Sequence, residues 1–260
     1  MSRFLSFIYG VIAYIVFLVA FLYAIGFVGN LVVPKSIDSG AAAVAITALV
    51  IDVILLSLFA IQHSGMARPG FKKWWTRVIP RPIERSTFVL LASLILLLLY
   101  WQWQPLPGVV WQIENPTGRL ILWGIFWLGW VIVLVSTFLI NHFDLFGLRQ
   151  VVLHLRGKPY EPLGFRVLGL YKYLRHPIML GFIVAFWATP DMTFGHLLFA
   201  VVTTSYILVA LQLEEHDLVK LHGDAYERYR QRVTMLFPFR KYEAEETSPE
   251  GEAARPAPTV

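Results

Sequence analysis

The sequence predicts an all-α, polytopic integral membrane bundle, and three observations carry that prediction. Hydrophobic residues make up 57% of the 260-residue chain and charged residues only 15%, where a soluble domain carries about 25% charged. Mean hydropathy is +0.61. The charges are clustered, leaving several stretches of ~20 residues almost free of them, long enough to cross a ~30 Å hydrocarbon core as helices. The length suits one membrane domain with a short tail.

The first apolar run, Phe4–Leu31, is too long for the ~7–15-residue core of a signal peptide and lacks a small-residue cleavage site. It reads as a retained helix. Ala41–His63, Thr87–Trp103 and Gly118–Ile140 form the second, third and fourth spans. Pro177–Leu213 is apolar but interrupted at "ATPDMTFG". There Pro190 removes a backbone donor, and Asp191 and Gly195 add turn chemistry. A helical hairpin is expected, its first arm, Pro177–Ala188, too short to cross upright. From Glu214, "EEHDLVKLHGDAYERYRQRV" sets Leu and Tyr at helical spacing among charges and predicts an amphipathic helix on the membrane surface. Residues 241–260, acidic and then rich in Ala and Pro, predict a disordered tail. The expected organisation is four transmembrane helices over 1–140, a catalytic and cofactor region over 141–240 containing the hairpin 177–213, and the tail.

Orientation follows from Lys and Arg. Gly65–Arg85 carries Arg68, Lys72, Lys73, Arg77, Arg81 and Arg85 against one Glu, whereas Gln104–Thr117 carries neither Lys nor Arg. The first loop is therefore cytoplasmic, and both termini follow it. The net charge of +5 is accounted for by these flanking loops and calls for no nucleic acid. There is no cysteine, which excludes a disulfide framework and a thiolate nucleophile. No histidine or carboxylate spacing resembles a metal site, and none is expected.

Three polar elements meet on the cytoplasmic side: Asn141–Lys172, the "LRHPIMLG" step at Leu174–Gly181, and the segment from Glu214. Pro177 suits the first helical position, where its missing N–H costs nothing. Arg175 and His176 add charge to an already positive helix terminus, and Gly181, one turn on, admits close approach to the backbone. Glu214 and Glu215 return to the same side. A basic site facing an acidic pair across a short gap suits a zwitterion with an extra positive charge, such as S-adenosylmethionine. The alternative reading is a plain interfacial salt bridge between Arg175 and Glu214 or Glu215.

These residues carry a resemblance. "YLRHPIMLG", a hydrophobic hairpin and "LEEHDLVKLHGDAYERYRQRV" resemble the C-terminal half of the isoprenylcysteine carboxyl methyltransferases and their bacterial relatives. Arg175, His176, Pro177, Gly181, Glu214, Glu215, Leu218, Gly223, Tyr226, Tyr229 and Arg232 match that family's pattern. Met179 stands where the family often has Tyr, so an aromatic partner for the donor is either absent or supplied from elsewhere, by Tyr171 or Tyr173. The resemblance implies a membrane-embedded methyltransferase using S-adenosylmethionine, held by Tyr173, Arg175, His176, Pro177, Gly181, Glu214 and Glu215. "NHFDLFGLRQV", Asn141–Val151, is similar to the corresponding stretch of the branch that includes bacterial methanethiol S-methyltransferases. That likeness implies a small thiol acceptor, methanethiol going to dimethyl sulfide, in the bacterial cytoplasmic membrane with lipid as the other partner.

A thiol is mostly protonated at neutral pH and attacks as thiolate, so a base or a cation helps. His142 is the candidate base, held by Asp144, with Arg232 as a further catalytic candidate; the other reading has Asn141 and His142 simply ending the helix. Arg149 is read as a partner for the donor's carboxylate. Asp52 lies inside the second span, where a carboxylate is rare, either hydrogen-bonded to a neighbouring helix or lining a polar cavity. Alternative functions are methylation of a prenylcysteine carboxylate or a phospholipid amine, a nicotinamide-dependent membrane reductase, for which no Gly-rich phosphate loop is evident, and a small transporter built on Asp52.

Overall fold

The computed structural model describes residues 2–41 and 43–237. The expected tail lies outside the described residues. Among the described residues, five helices are long and apolar enough to cross a membrane: α1 (Arg3–Gly29), α2 (Ala45–Ala67), α4 (Arg81–Gln102), α5 (Pro116–Ile140) and α9 (Phe194–His222). Shorter helices fill the ends: α3 (Pro69–Trp75), α6 (His142–Leu145), α7 (Leu148–Leu155), α8 (Pro177–Trp187) and α10 (Asp224–Arg232). Their boundaries have local causes. The Ser2 hydroxyl caps α1 by accepting from Leu5 N at 3.2 Å, Asn115 caps α5 ahead of Pro116, and Thr193 caps α9 through His196 N at 3.1 Å, each satisfying an otherwise orphaned N–H.

Large apolar side chains such as Ile12, Val19, Ile54, Leu120, Val131 and Val209 are exposed on the long helices, as expected of surfaces that face lipid rather than water. The interior is aromatic: Phe27, Tyr100, Trp103, Phe126, Trp130, Phe186 and Phe199 form one buried cluster. Trp103 and Trp130 therefore belong to the core. Trp103 is fully buried and satisfies its indole N–H on Ile37 O at 3.0 Å.

α5 and α8 pack backbone to backbone. A Cβ on Gly181 would stand 2.7 Å from Gly129 O, and one on Gly129 would stand 2.7 Å from Gly181 O. The close approach foreseen at Gly181 is thus made by a neighbouring helix. Four residues earlier, one turn up, Pro177 comes level with about Ser136, and Tyr171 Oη lies 3.5 Å from Ser136 O. Arg175 and His176 consequently sit about a turn inside the end of α5 at Ile140.

Three features depart from the sequence reading. The "ATPDMTFG" interruption holds β2 (Asp191–Thr193), which pairs antiparallel with β1 (Val109–Gln112) at the opposite end of the bundle. Arg119 clamps β2 there through two bonds to Asp191 at 2.9 and 2.8 Å. The helix expected to begin at Glu214 is instead the continuation of α9, which runs unbroken to His222 because nothing before Gly223, at φ 54°, interrupts it. Asp52 accepts from the backbone N–H of Gln104 at 2.9 Å; of the two readings weighed for it, the bond is to the segment following α4.

Candidate active site

At the end of the bundle that carries the basic loop, α8, α9 and α10 converge on one buried ion pair. Arg175 Nε and Nη2 donate to Glu215 Oε1 and Oε2 at 2.6 and 3.1 Å. Nη1 donates to the carbonyls of Arg230 and Val233 at 2.8 and 2.6 Å. His176 Nε2 stands 3.1 Å from the same Glu215 Oε1. The Arg175 and Glu215 side chains are only 8% and 5% exposed, so this is no surface salt bridge. The chain after α10 lies alongside, with Arg175 N donating to Thr234 O and His176 N to Met235 O. No gap separates Arg175 from Glu215. Every guanidinium nitrogen is already engaged, and the pair acts as a lock that seats α10 against the start of α8.

Glu214 differs from its neighbour. Its side chain is 47% exposed, 4.0 Å from His176 Nδ1. Burial raises the Tyr171 phenol pKa and the Glu214 carboxylate raises it further. Burial likewise raises Tyr226, with Glu215 and then Glu214 adding to it. Both phenols remain protonated hydrogen-bond donors around neutrality. Tyr229 Oη donates to Tyr171 O at 2.6 Å, tying α10 to the segment that leads into α8. Tyr173 is exposed nearby, and Arg232 closes α10; both make contacts within the protein.

The second group lies around α6. His142 is buried among Phe138, Phe17, Phe143 and Phe146, stacked on Phe138 at 4.4 Å. Thr137 Oγ1 gives its hydrogen to Leu134 O at 2.7 Å and lies 2.9 Å from His142 Nδ1. Nδ1 therefore carries the proton, and Nε2 accepts from Tyr14 Oη at 2.8 Å. Burial lowers the pKa of His142, in keeping with a neutral ring held at both ends. Asp144 does not hold His142. It pairs with Arg149 at 2.9 Å and accepts from Tyr160 Oη at 3.3 Å, so Arg149 too is occupied.

Asp144 lines a cavity of about 720 Å³ with Lys72, Arg81, Arg85, Gln150 and Tyr160. Arg85 lies within electrostatic reach of both Asp144 and Glu214. Sequence reasoning counted Arg85 as one of six loop cations. Its signal was positional: it opens the first turns of a span, where a cation points into the bundle. The partners of His142, Tyr14 and Thr137, had no signal beyond being hydroxyls inside apolar runs.

The pattern of the NnrU protein family matches residues 52–235. The chain belongs to the NnrU protein family. It is 62% identical to the methanethiol S-methyltransferase of Mycobacterium tuberculosis, over 92% of this chain and 98% of that one. It is 56% identical to the enzyme of the same name from Crocosphaera subtropica, over 92% and 94%. A more distant likeness, 32% over 65% of the chain and 68% of the relative, is to nurim from Bos taurus. No solved structure matches. The resemblance to the methanethiol S-methyltransferase branch, expected from two short motifs, thus extends through nine-tenths of the chain, including the N-terminal helices that carried no motif.

Proposed function

We propose that the protein transfers a methyl group from S-adenosylmethionine to methanethiol, giving dimethyl sulfide, at the cytoplasmic face of the bacterial cytoplasmic membrane with both termini inside. The observation that carries this reading is the 62% identity with the M. tuberculosis methanethiol S-methyltransferase over 98% of that protein. The donor supplies a methyl group already activated on a sulfonium. The chain has then to position donor and thiol in line and to exclude water.

The residues fit such a donor. It carries two positive groups, and Glu214 is a half-exposed carboxylate beside His176. Tyr171, Tyr173 and the His176 imidazole offer aromatic faces and polar edges for an adenosyl group. Pro177 opens α8 beside them. Arg175 and Glu215 contribute by holding α8, α9 and α10 in register, and Gly181 by letting α8 seat against α5. Arg232 borders the site at the end of α10. Asp144 lines the cavity beside Arg85, and His142 positions α6 relative to α1 and α5, since both of its ring nitrogens are taken.

Ligand-dependent stability tests the reading. A ligand that binds only the native state at 100 times its Kd adds about 2.7 kcal/mol. In detergent, S-adenosylhomocysteine should raise the unfolding temperature, and a reduced nicotinamide dinucleotide should not. The reverse pattern would replace the methyltransferase reading with the reductase one.

A further inference from the structure

The cavity lined by Asp144 is basic from two sides. Lys72, Arg81 and Arg85 reach it from α3 and α4, and Lys158, with His154, from α7 and the chain after it. Against these four Lys and Arg side chains stand two carboxylates, Glu84 and Asp144. Asp144 is already taken by Arg149 at 2.9 Å and by the Tyr160 hydroxyl at 3.3 Å. Glu84 is the main offset to the charge of Arg85, ahead of Asp144 and Glu214. Among the described residues none of the four cations lies within ion-pair distance of a carboxylate. Burial, and then the charge of Arg85, hold the Lys72 ammonium below its ordinary pKa. The cavity therefore keeps a positive excess that the described residues do not neutralise.

A second observation calls for a donor in the same place. Gln150 lines the cavity, is only 8% exposed, and has its Oε1 buried with no partner among the described residues. Its Nε2 donates to Asp144 O at 3.0 Å. A buried acceptor left open is costly, so a ligand's hydroxyl is favoured there. The depth of the cavity selects the source of such a ligand. Ile140 ends α5, Arg81 and Pro82 begin α4, and all three line the wall. The cavity thus lies where two spans leave the hydrocarbon, at the level of lipid headgroups. Beside it Trp74 and Val78 are exposed next to Lys73 and Arg77, a mixture of indole, apolar and basic side chains that settles into a headgroup layer. At about 720 Å³ the volume falls within the roughly 300–1,000 Å³ of small-ligand sites.

We propose that this cavity binds the headgroup of an anionic phospholipid of the phosphatidylglycerol type, its phosphate among Lys72, Arg81, Arg85 and Lys158 and a glycerol hydroxyl donating to Gln150 Oε1. The acyl chains stay in the bilayer beside α4 and α5. Basic pockets between spanning helices hold anionic headgroups by the same charge complementarity. The phosphate joins two like-charged walls and so ties the segment after α6 to the α3–α4 corner. The methyl donor is a poorer occupant, because its two positive groups meet the same excess of cations. The site is separate from the donor position at Glu214 and does not rest on the methyl-transfer reading.

Native mass spectrometry of the full chain in neutral detergent, titrated with single lipids, tests the site. Wild type should bind one dioleoyl phosphatidylglycerol far more tightly than dioleoyl phosphatidylcholine. It should also prefer it roughly 2–10-fold, the worth of one hydrogen bond, over dioleoyl phosphatidylmethanol, which has the same charge and no free hydroxyl. Arg81→Gln with Lys158→Gln removes two exposed cations. At roughly fivefold per cation, the double variant should bind phosphatidylglycerol about 25-fold more weakly, with phosphatidylcholine unchanged. Gln150→Met should erase the preference over phosphatidylmethanol and keep the preference for charge; if it does not fold, the double variant still decides. Equal binding of phosphatidylglycerol and phosphatidylcholine by wild type, wild-type affinity in the double variant, or an unchanged hydroxyl preference in folded Gln150→Met would overturn the proposal. So would soluble glycerol 3-phosphate binding as tightly as the lipid, which would make the ligand a free phosphate ester. Displacement of the lipid by S-adenosylhomocysteine would overturn it too, by giving the cavity to the methyl donor.

Discussion

Glu214 and Glu215 are adjacent and chemically identical, yet they should respond oppositely to the same substitution. Glu215 accepts two bonds from Arg175 and one contact from His176, at 2.6, 3.1 and 3.1 Å, behind side chains that are at most 8% exposed. Glu215→Ala leaves the guanidinium buried with only two carbonyls for company. Removing one partner of a buried pair costs about 3–5 kcal/mol, equivalent to roughly 6–20 °C in unfolding temperature at ~2–4 °C per kcal/mol for a chain of this size. Glu214→Ala removes a half-exposed carboxylate and should cost about 0.5 kcal/mol or less, while abolishing most of the stabilisation by S-adenosylhomocysteine. The assay is thermal unfolding in detergent with and without that ligand. Replacing both members of the lock, Arg175→Met with Glu215→Leu, should recover much of the stability lost in Glu215→Ala, because an apolar pair of similar volume leaves no charge stranded. Equal stability losses at Glu214 and Glu215, or full ligand stabilisation in a folded Glu214→Ala protein, would refute the division between lock and ligand site.

Three further outcomes are expected. Gly181→Ala must push α8 off α5, since its Cβ would meet Gly129 O at 2.7 Å and Val133 N at 3.0 Å; an overpacking cost of about 1–3 kcal/mol should appear as a lower unfolding temperature. Burial lowers the pKa of His142, so the unfolded chain binds its proton first as pH falls. The stability that neutral His142 contributes is complete above about 6.5 and is lost as pH drops through the folded-state value, and His142→Gln should flatten that part of the stability–pH curve. The chain has no cysteine, so single cysteines report sidedness cleanly: an impermeant thiol reagent on intact cells should label Gln112→Cys and spare Lys73→Cys.

The long apolar helices were legible because a membrane span is a statement about composition over ~20 residues, and the ends moved for local reasons. α4 begins at Arg81, six residues before the expected Thr87, because Pro82 and the charges at its start tolerate the first turns of a helix. The strands β1 and β2 carry too few residues for a period to show, and they pair across more than 75 positions of chain. At the site, sequence brought Arg175, His176, Glu214 and Glu215 to the same side correctly, but spacing could not choose which glutamate would meet Arg175. That depends on the rotation of α9 about its axis, a tertiary property. The same blindness covers His142. Its neighbour Asp144 looked like the natural partner, whereas the real partners are Thr137, one turn back, and Tyr14 on another helix. Nothing local reveals that the ring of His63, at the expected end of the second span, is turned between Phe59 and Phe88.

The account stands most directly on where a methyl group goes. Purified protein in detergent, given S-adenosylmethionine with a labelled methyl group and methanethiol, should place the label in dimethyl sulfide in the headspace and leave the lipid extract unlabelled. Label in lipid with none in the headspace, or no transfer by protein that S-adenosylhomocysteine fails to stabilise, would contradict it.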